Sequence, residues 1–391
     1  MTCPLHDIAI IGVGACKFGE NFTMDVESMM VEAAYEAYED AGIDPREIQA
    51  AWIGIQYPFT GLSGATLADP LKLYDIPITH VENYCVSGLD SFRNACLGVA
   101  SGMYDMVMAA GVEKLSDQGG RGLPVAGFGH QVLLRGLTAP SAFGFAFPRH
   151  AREYGTTKED LAHVAVKNHY NGAVHPKAHF RREVTLEQVM NAPLVSGDLG
   201  LFDCCAISDG AAAVIITRRE NARKYSDNYV VLRGMGLAVY SNYIPLDPDF
   251  DYLSWRPTVK AAKSAYEMAG IENPREEIDC AEVHDCFTIT EILNYEDLGF
   301  CAKGEGGRFV REGHASLDGD VAVNPSGGLK CFGHPIGATG CRMVYEITRQ
   351  LQGRGEGRQR EGAKTGLIHN LGGLGGVVCG IAVLSSDDKY R

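Results

Sequence analysis

Apolar residues follow two rhythms along this chain, and the switch between them marks its elements. In residues 7–14, Asp7 is followed by an unbroken apolar run that ends in Gly12-Val13-Gly14, which predicts a buried strand. From 25 to 41 the spacing becomes helical, with Val26, Met29, Met30, Ala33, Ala34, Ala37 and Ala41 on one face and Gly42 as the stop. Strands are predicted at 50–55, 78–82, 105–111 and 210–217. Between the second and third of these runs, Leu89, Phe92, Cys96 and Val99 recur at helical spacing directly after the 78–82 strand. Residues 113–200 read as an inserted loop region with some helix at 157–170, and the polar stretch 218–228 reads as a linker.

Then the pattern restarts. Ala33-Ala34-x-x-Ala37-Tyr38-Glu39-x-Ala41-Gly42-Ile43 returns as Ala261-Ala262-x-x-Ala265-Tyr266-Glu267-x-Ala269-Gly270-Ile271, an offset of 228 residues. Pro45-Arg46-Glu47 returns one residue later still, as Pro274-Arg275-Glu276. Agreement of this kind marks an internal duplication. Each copy is expected to be a layered βαβ-type unit. Strands at 230–240, 280–284, 320–324, 364–369 and 377–384 complete the second copy. The expected organisation is 1–112 with 201–228 as the N-terminal half, 113–200 as the insertion and 229–391 as the C-terminal half.

The duplication singles out two residues. Gly88 and Arg93 match Gly337 and Arg342 at an offset of 249, which carries Cys85 onto His334. Each stands just before a helix. Halves packed about a twofold axis would bring the two helix starts together, pairing a nucleophile with a base. Free N–H groups and the helix dipole at such a start are expected to favour a Cys85 thiolate. By itself Cys85 is one of 12 cysteines, a residue type that is commonly buried.

Composition narrows the chemistry. A net charge of −14 argues against nucleic acid or an anionic membrane as the main partner. The cysteines show no paired spacing for zinc, so no metal is expected. No basic leader precedes the first apolar run and no apolar run reaches bilayer length, so a cytoplasmic, non-membrane protein with free thiols is expected. The opening Gly12-Val13-Gly14 resembles a dinucleotide-binding turn, but the next glycine is Gly19, so GxGxxG is not met.

Gly333-His334-Pro335-Ile336-Gly337-Ala338-Thr339-Gly340, with Cys85 and the duplication, resembles the thiolase superfamily over the whole chain. Glu282-Val283-His284-Asp285-Cys286-Phe287 stands where many thiolases have Asn-Glu-Ala-Phe. His-Asp-Cys-Phe resembles the sterol-carrier-protein-2-type thiolases and their bacterial and archaeal acetyl-CoA acetyltransferase-like relatives.

The resemblance implies an α/β, five-layered αβαβα fold of two duplicated halves plus the insertion. It implies acyl transfer: cleavage of a 3-oxoacyl-CoA by coenzyme A, or the reverse Claisen condensation. Coenzyme A is a co-substrate, and no permanent cofactor is implied. Cys85 would carry the acyl group and His334 would activate it. Cys286 would be the second acid/base, replacing a cysteine that standard thiolases carry at the place of His369. His284 would donate to the thioester oxygen, together with His334. Backbone N–H groups of Cys85 and the glycines near Gly372 would form the other oxyanion site. His369 stays open between a structural and a direct role. Lys167 to Arg182 reads equally as a coenzyme A route or a solvated face. Cys204, Cys205 and Cys379 read as core.

A homodimer or homotetramer is implied, and a small partner subunit bearing an OB-fold and a zinc ribbon is suggested by such relatives. The aromatic run Phe143-Gly144-Phe145-Ala146-Phe147, with Phe128, would suit a covered surface. Alternatives are a ketoacyl-synthase- or hydroxymethylglutaryl-CoA-synthase-like condensing enzyme, an aldolase-type protein, or a scaffold subunit. The last two fit poorly with a chain that keeps Cys85, Cys286 and His334.

Overall fold

The computed structural model describes residues 4–118 and 136–386. Each half contributes five strands to one mixed sheet. The first half supplies β1 (Ile8–Ala15), β2 (Ala50–Gly54), β3 (Ile78–Val81), β4 (Met106–Lys114) and β5 (Asp209–Arg218). The second supplies β6 (Val230–Val239), β7 (Cys280–Val283), β8 (Ala322–Val323), β9 (Thr365–Gly372) and β10 (Val378–Ser386). The order across the sheet is β8-β7-β9-β10-β6-β1-β5-β4-β2-β3. Counted outward from the centre, both halves run first, fifth, fourth, second, third. The duplication in sequence is therefore a duplication of topology. The halves meet where β1 and β6 pair antiparallel through Ala9↔Val231 and Ile10↔Val230.

Four helices form the layers around these strands. Helix α1 (Val26–Ala41) starts at Asp25, whose side chain accepts from Ser28 N, and ends at Gly42 with φ 66°. Its counterpart α3 (Arg256–Ala269) ends at Gly270 with φ 71°. Each lies on the outer side of its own half. Helices α2 (Ser87–Ala100) and α4 (Ile336–Leu351) pack against each other between the halves. This gives the αβαβα layering expected. On β5, Ala211, Ala213 and Ile215 join the core under α1, whereas Ala212, Val214 and Ile216 face α2, so the strand is buried on both sides.

The repeated small residues have one physical cause. A Cβ on Gly12 or Gly14 would sit 2.4 Å from the Ala37 carbonyl oxygen or 2.1 Å from that of Ala33. In the second half, Gly234 and Gly236 stand in the same relation to Ala265 and Ala261, at 2.2 and 2.0 Å. Glycine on the first strand and alanine on the outer helix let the two backbones approach. The apparent nucleotide turn at Gly12 is this packing device. β1 also carries an extra residue between Ile10 and Gly12. That bulge explains why Ile8 and Ile10, then Val13 and Ala15, enter the same core cluster.

The inserted region holds more helix than expected, at Ala139–Gly144, Ala146–Tyr154, Lys158–Gly172 and Leu186–Met190. Thr138, Thr157 and Thr185 cap three of these, each accepting from the backbone N–H three residues on. Those T-x-x-S, T-x-x-D and T-x-x-Q boxes were the legible signal. Helical spacing also corrects the reading of the aromatic run. Phe143 and Phe147, four residues apart, are buried, and Phe145 is 50% exposed. Phe128 lies outside the described residues. Lys167, Asn168 and His169 are buried, not solvated. Among the described residues, no helix is long and apolar enough to cross a membrane.

Candidate active site

The two central helices start at Ser87 and Ile336, the same offset of 249 that relates Cys85 to His334. They cross at their first turns. A Cβ on Gly88 would meet the Gly337 carbonyl oxygen at 2.5 Å, and one on Gly340 would meet Leu89 N at 2.0 Å. Only glycine permits this approach, and it brings the residues before both helices together. One ligating atom each from Cys85, His284 and His334 lie within 4.8 Å of one another. Sulfur and two imidazole nitrogens at this spacing are also donors that a soft divalent metal would accept.

Cys85 stands on a tight, strained turn. Tyr84 has φ 53°, a left-handed conformation that costs a non-glycine residue about 1–3 kcal/mol. Ser87 Oγ donates to the Tyr84 carbonyl at 2.6 Å and accepts from Asn83 N at 2.8 Å, clamping the turn. Val86 N and Ser87 N donate to the Asn83 and Tyr84 carbonyls. The N–H groups of the N-cap Val86 and of the first helical residue Ser87 are thus used within the turn. This corrects the expectation of a dipole-stabilised thiolate. Burial pushes the thiol up to about 12, and Glu113 and Glu82 push the same way, against N–H groups of Gly373 and Cys85 itself. Residue Cys85 nonetheless retains partial access to solvent.

His334 is buried, and burial holds its pKa well below the usual imidazole range, with nearby His284 and Arg342 adding to the effect. Its Nδ1 lies 2.7 Å from Thr339 Oγ1, which is also 3.1 Å from the Pro335 carbonyl. Thr339 has one proton to place. Pointed at Pro335, it leaves Nδ1 as an N–H and Nε2 as a free lone pair. Turned toward Nδ1, it leaves the proton on Nε2.

His284 follows β7 and faces His334 edge-on, with ring centroids 5.2 Å apart. Its backbone N–H donates to His369 Nδ1 at 3.3 Å and its carbonyl accepts from Asn294 Nδ2 at 2.8 Å. Burial lowers its pKa to about 3. His369 Nε2 reaches Thr258 Oγ1 on α3 at 3.0 Å. With both nitrogens engaged, His369 braces the His284 backbone from behind.

Cys286 is buried, its thiol raised well above the usual range by desolvation, with Cys205 and Cys85 also raising it. Cys205 N donates to the Cys286 carbonyl at 2.9 Å, and Cys204 bridges Phe287. Cys204 and Cys205 are therefore partly exposed flanks of the motif, not core. Cys379 is core as expected. Gly372 approaches the nucleophile closely: a Cβ there would lie 2.8 Å from Cys85 N. The N–H that reaches the Cys85 sulfur belongs to the next residue, Gly373.

Three supports were not legible beforehand. Asp285 accepts from Leu329 N at 2.6 Å, Lys330 N at 3.2 Å and Asn168 Nδ2 at 2.7 Å, holding the glycine-rich loop against the His-Asp-Cys-Phe turn. Glu113, at the end of β4, accepts from Gln56 N, Tyr57 N, Thr60 Oγ1 and Gly337 N, tying the α4 start to the first half. Glu282 on β7 pairs with Arg342 on α4, both fully buried. Each joins segments far apart in sequence.

The chain matches the family model for the thiolase N-terminal domain over residues 8–220 and the thiolase C-terminal domain-like model over 243–385. The chain belongs to the thiolase family. An acetyl-CoA acetyltransferase of Methanothermobacter thermautotrophicus is 43% identical over 95% of this chain and 98% of its own. Sterol carrier protein 2 of Oryctolagus cuniculus is 34% identical over 95% of this chain and 71% of its own. A solved structure titled "Ltp2-ChsH2(DUF35) aldolase" superposes with a TM-score of 0.86 at 23% identity, covering 100% of each chain. These relatives place the chain in the sterol-carrier-protein-2-type branch, as a thiolase-type acyltransferase.

Proposed function

We propose that this thiolase cleaves a 3-oxoacyl-CoA with free coenzyme A, or runs the reverse condensation, through an acyl-Cys85 thioester. The observation that carries the reading is the convergence of Cys85, His284 and His334 at two symmetry-related helix starts. His334 Nε2 takes the Cys85 proton, and the sulfur attacks the thioester carbon. The N–H groups of Cys85 and Gly373 receive the developing oxyanion. The coenzyme A thiolate leaves with the proton from His334. In the carbon–carbon step Cys286 moves the proton at the α-carbon, while N–H groups of His284 and His334 hold the enolate oxygen. His334 needs a lone pair in the first step and a proton in the second, and the single Thr339 hydroxyl proton allows both.

The boundaries 1–112 with 201–228, 113–200 and 229–391 describe two catalytic halves and one insertion. The protein works as a cytoplasmic homo-oligomer, with coenzyme A as a transient substrate. A small OB-fold and zinc-ribbon subunit covers part of the insertion; support comes from the similar fold of an aldolase whose name includes a DUF35 companion, and from exposed Phe145 and Leu194. Mass spectrometry after mixing with an acyl-CoA panel tests the chemistry. An adduct on Cys85 and thiolysis of the matching 3-oxoacyl-CoA are expected. An adduct on Cys286 alone would reverse the assignment.

A further inference from the structure

Asn370 lies near the end of β9 and is fully buried, yet neither its amide oxygen nor its amide nitrogen has a hydrogen-bond partner among the described residues. The His284 ring is in the same condition, with both nitrogens unpartnered. Leaving such groups unmade costs about 1–3 kcal/mol each, so two together call for an explanation.

The register supplies it. β9 runs parallel to β7 with His369 opposite Val283, which sets Asn370 level with His284. Side chains alternate along a strand, so His369 and Asn370 point to opposite faces. His369 points to Thr258 on the outer helix α3. Asn370 shares its face with Gly372, two residues on, whose vacant Cβ direction meets Cys85 N at 2.8 Å. The inward-facing residue at this place is thus Asn370. Its amide is also the side chain within hydrogen-bonding reach of the His284 ring, which burial keeps neutral. The strict bond is not closed in the resting geometry. Meanwhile the His284 backbone is pinned on both sides, by His369 Nδ1 and Asn294 Nδ2, so the base of the side chain is fixed while no hydrogen bond holds either ring nitrogen.

We propose that Asn370 is a positioning residue that orients the His284 ring and selects which nitrogen carries the proton. Asn370 Nδ2–H donates to one ring nitrogen of His284. The other nitrogen then keeps its proton and presents it to the thioester or enolate oxygen of the substrate. No covalent bond changes; the amide fixes a tautomer and a ring angle. The inference rests on the thiolase reading of the site, because it needs His284 to act on the acyl oxygen.

The test uses the full chain with Asn370→Ala and the isosteric Asn370→Asp. For N370A, kcat of the carbon–carbon step is expected to fall about ten- to hundredfold, the scale of one orienting hydrogen bond, with KM changed less than about threefold. Acylation of Cys85, scored by mass in the same samples, is expected to persist and reports that the variant is folded. For N370D the carboxylate removes the donor and holds a proton on His284 to higher pH, moving the pH profile of kcat by about one unit or more toward alkaline pH. A purely structural role would leave that profile in place. Wild-type acyl-Cys85 with N370A within threefold of wild type, or with an N370D profile that overlies it, overturns the inference while leaving the thiolase reading intact. The absence of any wild-type adduct would overturn both.

Discussion

The starts of α2 and α4 are the same structural position built twice, and they have been finished in opposite ways. At Cys85 the chain is forced into a left-handed turn at Tyr84, and the Ser87 hydroxyl and two turn N–H groups hold it there. At His334 the approach is a glycine-rich loop gripped from outside by Asp285, and the side chain is steadied by Thr339. The first arrangement leaves a sulfur partly open to solvent. The second gives a base with no solvent to compete for its proton. Symmetry brings the two positions together, and the difference between their turns makes one a nucleophile and the other a base.

Removing the nucleophile is the sharpest way to break this comparison. Cys85→Ala is expected to abolish turnover, a loss of at least about 10⁴-fold, with unchanged circular dichroism and no acyl adduct. Retained turnover would move the covalent step elsewhere. Cys286→Ser comes next. Its loss as proton mover is expected to slow the carbon–carbon step by about 10²–10⁴-fold while acyl-Cys85 still forms. Near-normal thiolysis by that variant would hand the proton to another group, with Cys205, whose backbone bonds that of Cys286, a candidate.

Stability offers the next test, because a buried ion pair ties α4 to β7 beside the site. Arg342→Ala leaves Glu282 as an unpaired buried carboxylate and is expected to cost about 3–5 kcal/mol in denaturant unfolding. Thr339→Val should act on catalysis alone. It removes the partner of His334 Nδ1, and kcat is expected to fall about ten- to hundredfold with little change in melting temperature. A larger loss of stability than of rate would make Thr339 a packing residue.

What was legible follows the range of the interactions. The repeated Ala-Ala-x-x-Ala and the paired offsets are local patterns written twice, so the halves and the Cys85–His334 pairing could be read directly. His284 and Cys286 needed the motif, since a histidine or cysteine at the end of a strand carries no signal of its own. Asn370, Asp285 and Glu113 were not legible because each takes its role from strand register or from partners far away in sequence. The inserted helices were written in capping boxes that apolar periodicity does not detect. The thiolate expectation left out burial, which raises the thiol most, and it counted the Val86 and Ser87 N–H groups as free, whereas the turn through Tyr84 and Asn83 uses them.

That last point gives the mildest test, and it bears on the comparison directly. Burial raises the Cys85 thiol to about 12 and lowers the His334 imidazole, so both shifts oppose a resting thiolate–imidazolium pair. An acid whose pKa is raised stays protonated at neutral pH, and its thiolate fraction grows tenfold for each pH unit below that value. The rate of alkylation of Cys85 by iodoacetamide is therefore expected to climb about tenfold per unit from pH 7 to 9, with no plateau. A preformed ion pair would instead give a rate that is flat across this window and falls off only where the thiolate is protonated on the acid side. A flat profile would mean that the Gly373 and Cys85 N–H groups outweigh desolvation, and that the two helix starts share one charge-separated state before substrate arrives.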